Sequence, residues 1–135
     1  MLYRGVLIVV LALATAACTK DAKQSAVEVA EAWLARMDAG KYAESWEQSA
    51  ELFRSVLTKE QWVVSLNSVR KPLGGVKKRE LLNYKPITNP PGAPEGEYVV
   101  IQFSTDFANK PGAVETITPM RAEGGEWQVS GYYIK

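Results

Sequence analysis

The sequence predicts an α+β domain in which three N-terminal helices pack on one face of a curved four-stranded antiparallel sheet. Three observations lead there. Apolar residues recur at helical spacing between positions 26 and 69. After position 76 apolar and polar residues alternate, in runs separated by Gly and Pro. Short turns join those runs where a parallel sheet would need long crossovers, so hairpins with helices on one side are expected.

The chain opens on a secretion address. Arg4 supplies a positive start, residues 5–14 carry no charge, and Thr15-Ala16-Ala17-Cys18 provides a small-residue end. The apolar run is about 14 residues, short of the ~20 that span a bilayer. Cys18 is the only cysteine. It stands where bacterial lipoprotein precursors place the thiol that is lipidated and becomes the mature N-terminus. An unpaired thiol in an oxidising compartment is otherwise a liability. The expected division is therefore a signal peptide over residues 1–17, a lipidated tether over residues 18–24 and one domain over residues 25–135. Cleavage after Ala16 and an uncleaved anchor are the rival readings. Thr19 after the cysteine carries no inner-membrane retention signal, so an outer-membrane anchor facing the periplasm is expected.

In the first helix, Ser25-Ala26-Val27-Glu28 matches a capping box, and Ala26, Val29, Ala30, Trp33, Leu34 and Met37 form its apolar stripe up to Gly40. A second helix is expected over residues 41–54, with Tyr42, Trp46, Ser49, Ala50 and Phe53 on one side. Thr58-Lys59-Glu60-Gln61 opens a third, whose face carries Trp62, Leu66 and Val69 before Pro72 ends it. The strands are expected over residues 76–84, 98–107, 114–122 and 127–134. Pro90, Pro91, Gly92, Pro94 and Gly96 make the first connection a loop, and Gly124-Gly125 closes the last hairpin.

Composition excludes more function classes than it supports. The chain has no histidine and one cysteine, so zinc, haem and copper sites of the usual ligand types cannot be assembled, nor can Ser-His-Asp or Cys-His nucleophiles. No phosphate-binding glycine loop or EF-hand pattern is present, and no cofactor is expected. Without the signal, 15 basic side chains face 15 acidic ones, which gives no electrostatic footprint for nucleic acid.

Taken together, Trp33-Leu34, Asp38-Ala39-Gly40-Lys41-Tyr42, Ser45-Trp46, Trp62, Arg70-x-Pro72-Leu73-Gly74, Arg79, Glu115-Thr116 and Trp127-x-Val129-x-Gly131-Tyr132 resemble the bacterial domain of unknown function 4019 family. The resemblance covers nearly all of residues 25–135. It implies a nuclear transport factor 2-like or cystatin-like cone and an envelope location. It brings no activity, so no catalytic residue is carried over.

Three roles remain open. The first is binding of an envelope protein or a small ligand in the cone. The second is a cavity enzyme of the isomerase or dehydratase type, for which Asp38, Asp106, Tyr42, Tyr84, Tyr98 and Tyr132 are the available acids and donors. The third is assembly through pairing of two sheets into a homodimer. Candidate cavity aromatics are Trp33, Tyr42, Trp46, Trp62 and Tyr132, with core packing as the simpler reading. Arg70, Arg79 and Glu115 form either a structural ion pair or, with Lys77 and Lys78, an anionic-ligand site. Arg79 shares strand parity with Leu81, which is expected to face the helices, so the guanidinium should turn inward toward Glu115.

Overall fold

A computed structural model describes residues 21–135. Cys18 and the expected signal segment lie outside the described residues. The elements are α1 (Ala22–Asp38), α2 (Tyr42–Glu47), α3 (Glu51–Val56), α4 (Lys59–Val69), a 3-10 turn (Lys71–Leu73), β1 (Val76–Thr88), β2 (Glu97–Phe107), β3 (Lys110–Arg121) and β4 (Gln128–Ile134). Among these residues no helix is long and apolar enough to cross a membrane.

The helical half differs from expectation in two places. α1 starts at Ala22 and not behind Ser25, because Asp21 caps it: its carboxylate accepts from the Gln24 amide at 2.7 Å. The expected Ser25 box is therefore inside the helix, and part of the expected tether is helical. The second helix is two short ones, so there are four α-helices where three were expected. The break at residues 48–50 turns the chain onto the sheet, where the Ala50 amide donates to the Val129 carbonyl at 2.7 Å. The Thr58–Gln61 capping box forms as expected at the head of α4.

The sheet is an open antiparallel meander in the order β1-β2-β3-β4. Its strands are longer than the alternation suggested at the β1 end and at the start of β3. Alternation places Val99, Ile101, Phe103, Thr105 and Phe107 of β2 and Ala113, Glu115 and Ile117 of β3 on the face that the helices cover. Between that face and the helices, Trp33, Phe53, Trp62 and Tyr132 meet with ring centroids 4.9–6.4 Å apart, and these rings fill the middle of the domain.

Edge strand β1 has a bulge between Leu81 and Asn83 and carries Pro86. The bulge restores the inward parity, so Arg79, Leu81, Tyr84 and Pro86 oppose Thr105, Phe103, Ile101 and Val99. Leu81 is thus on the side that the helices cover, as expected, but remains 46% exposed, because the helices pack chiefly on β3 and β4 and not on this edge strand.

Two glycines have no substitute. Gly74 takes φ +78 where the 3-10 turn meets the β2–β3 turn, and Gly96 takes φ +151. A Cβ on Gly96 would sit 2.5 Å from the Arg121 carbonyl oxygen.

Candidate functional site

The sequence-predicted ion pair exists, and it is larger than a pair. Glu115 is completely buried on β3. Its Oε1 accepts from Arg79 Nε at 2.8 Å and from Thr105 Oγ1 at 2.6 Å. Its Oε2 accepts from the Tyr132 hydroxyl in a short hydrogen bond. Arg79 turns its other two nitrogens to Asp38 at the end of α1, as a fork with distances of 2.7 and 2.9 Å. Arg70, 3% exposed, donates from Nη2 to the same Asp38 at 3.1 Å and from Nη1 to the Gly74 carbonyl at 2.8 Å. Its guanidinium lies over the Phe107 ring, 4.5 Å from the centroid.

Two arginines thus face two carboxylates, and the cluster is neutral. Burial works against the Arg79 charge, but its hydrogen bonds to Asp38 and Glu115 outweigh that cost and hold its pKa above the ordinary range. Burial first, then the Glu115 carboxylate it donates to, hold the Tyr132 phenol well above its usual 10.0, against the pull of Arg70 and Arg79. Arg70 does not reach Glu115, as the sequence suggested it could; it serves Asp38 instead.

The other candidates are dispersed. Lys77 and Lys78 lie exposed on β1, and Lys78 pairs with Glu80 at 3.1 Å. They do not join the arginines. Asp106 accepts from the Gly112 amide at 2.7 Å and so fixes the β2–β3 turn. Tyr98 donates to the Pro94 carbonyl at 2.7 Å, and Tyr84 packs under Lys23. Burial raises both of these phenols above the ordinary range, with the Asp21 and Glu97 charges adding to it at Tyr84.

Trp33 and Trp62 are core residues, and their indole N–H groups converge on two buried serines. Trp33 Nε1 donates to the Ser45 carbonyl at 2.9 Å and to Ser49 Oγ at 3.0 Å; Trp62 Nε1 donates to Ser45 Oγ at 2.9 Å. Trp46 is half-buried, donates to the Leu57 carbonyl at 3.0 Å and has Arg54 and Lys59 over its ring. Ser45 is marked in the sequence only by the Ser45-Trp46 pair of the family resemblance, and nothing there gives it this role. Thr105 had a signal of its own, since strict alternation along residues 98–107 points it inward.

Beside the ion cluster lies an open groove of about 700 Å³, bounded by the turn after α1, by α4 and by Gly74-Gly75. Its wall includes Asp38, Tyr42, Asn67 and Arg70.

Residues 29–132 match the family described as protein of unknown function (DUF4019). The chain belongs to that family. No curated protein matches the sequence. The match spans Asp38, Arg70, Arg79, Glu115 and Tyr132, so the whole ion cluster lies within the family region.

Proposed function

We propose that this DUF4019 protein is a bacterial envelope lipoprotein, held by lipid on Cys18 at the outer membrane and facing the periplasm. Its domain, a cone of the nuclear transport factor 2-like or cystatin-like kind, acts as a non-enzymatic binding module for an envelope protein or a small ligand. One observation carries the choice of binding over catalysis. Glu115, the fully buried carboxylate, has both oxygens engaged by Arg79, Thr105 and Tyr132. A general base needs a lone pair free for substrate, and a cavity enzyme needs space above it. Here the group on Oε2 is Tyr132, whose ring is itself packed against Trp33 and Trp62.

The anchor is tested by metabolic labelling with a fatty-acid probe, comparing the parent with Cys18→Ser. The parent should carry label and fractionate with membranes, and the variant should lose both. A variant that stays in the membrane without label overturns lipidation in favour of an uncleaved anchor. Cross-linking of the anchored parent in intact cells should capture a reproducible envelope partner or a second copy.

A further inference from the structure

The groove beside the ion cluster has a charge that the cluster does not absorb. Asp38 is matched by Arg70 and Arg79, and Glu44 on the groove's wall is matched by Arg36 at 3.3 Å. Lys41 and Lys71, both exposed and both on the wall, have no carboxylate partner among the described residues. Two further groups wait beside them. Tyr42 is only 8% exposed, yet its hydroxyl makes no hydrogen bond among the described residues. Asn67, an exposed residue of the wall, presents its side-chain amide to the same space. The Tyr42 ring is buried while its hydroxyl is open to solvent at the edge of the cleft, so it can exchange water for a ligand group.

The chemistry of the free groups selects the ligand. The terminal guanidinium nitrogens that would read a planar carboxylate are committed to Asp38, Glu115 and the Gly74 carbonyl, and Arg70 Nε, which has no partner, is buried out of reach. What remains are two ammonium groups, which serve phosphate as mobile point charges. A hydroxyl and an amide are left to bond a polar body, and the volume is that of a small-molecule site, not of a bare ion. We propose that the groove binds the phosphate group of a soluble phosphorylated small molecule, with Lys41 and Lys71 on the phosphate and Tyr42 and Asn67 on the body.

Phosphate could also come from a lipid headgroup. The position of the groove argues against that, if the proposed anchor at Cys18 holds. The anchor precedes α1 and the groove follows it, and 17 helical residues separate the two by about 25 Å. This inference deepens the binding-module reading and rests on it for orientation alone.

The test titrates the full-length protein in neutral detergent with glucose 6-phosphate, inorganic phosphate, glucose and citrate, and with phosphatidylglycerol vesicles. Binding of glucose 6-phosphate above glucose and citrate is expected. It should weaken at least tenfold in Lys41→Ala/Lys71→Ala, whose exposed side chains hold no ion pair, so its melting curve should match the parent. Gly75→Glu is a second variant: Gly75 is on the groove wall and a Cβ there meets nothing within 4 Å, so the substitution adds a negative charge at the groove without a backbone clash and should abolish binding. The inference is overturned if no phosphorylated probe binds, if both variants bind like the parent, or if only the vesicles bind. Those failures leave the fatty-acid label and the cross-linked partner as separate readouts of the anchored module.

Discussion

Arg79→Ala tests the ion cluster most sharply. The substitution removes one hydrogen bond to Glu115 and the two-pronged contact with Asp38. Asp38 keeps Arg70 and is about a third exposed, so it loses little. Glu115 is completely buried and keeps only the Thr105 and Tyr132 hydroxyls, with no cation in contact. Stranding a buried charge in this way costs about 3–5 kcal/mol. That is a large fraction of the ~5–15 kcal/mol expected for a domain of this size. At roughly 4 °C per kcal/mol, the melting temperature should fall by about 12–20 °C. Circular dichroism would measure both, the free energy by urea denaturation and the midpoint by a thermal scan. The double variant Arg79→Ala/Glu115→Gln supplies the control: it should be more stable than Arg79→Ala alone, because the stranded charge is gone. A single variant within about 1 kcal/mol of the parent, or a double variant showing simple additivity, would refute the coupling.

Glu115→Gln by itself should cost less than Arg79→Ala, about 1–3 kcal/mol, since Arg79 retains Asp38; equal losses in urea would contradict the asymmetry. Tyr132 should stay protonated well beyond pH 10 in the folded protein, visible as one phenol silent in an ultraviolet titration. Because its folded pKa is raised, its contribution is complete below the unfolded value and is lost as pH climbs above about 10, so stability should fall on the alkaline side, and that part of the pH dependence should vanish in Tyr132→Phe. Trp33→Ala should cost about 4–5 kcal/mol, and half-buried Trp46→Ala closer to 2–3, compared by thermal melts. Gly96→Ala should lower the melting temperature by several degrees, since backbone must move to admit the Cβ, whereas Gly92→Ala meets no atom and is strained by φ alone.

The strands were legible because a sheet covered on one face writes its burial directly as alternation, and Thr105 and Glu115 follow that rule as surely as Ile101 and Ile117. The Arg79–Glu115 pair was legible for the same reason, although the neighbour used to set its parity, Leu81, proved half exposed. The cap of α1 was not, since Asp21 and Ser25 are both good caps and only tertiary position chose between them. The break between α2 and α3 was hidden because no Gly or Pro marks it; the hydrogen bond from Ala50 to Val129 makes it. Asp38 as the hub of two arginines was hidden too. Its partners lie 32 and 41 residues away, and nothing in local spacing records such a meeting.

The shape of β1 bears on how the protein survives at high local density. A thirteen-residue edge strand with Leu81 and Leu82 exposed is the kind of template on which a second chain could add strands and seed fibres. Lys77, Lys78 and Lys85 put charge along that edge, Pro86 removes a donor from it, and the bulge after Leu81 twists the ladder out of register for a straight partner. Crowded on a surface, where copies meet repeatedly in one orientation, such an edge would be far safer irregular than regular.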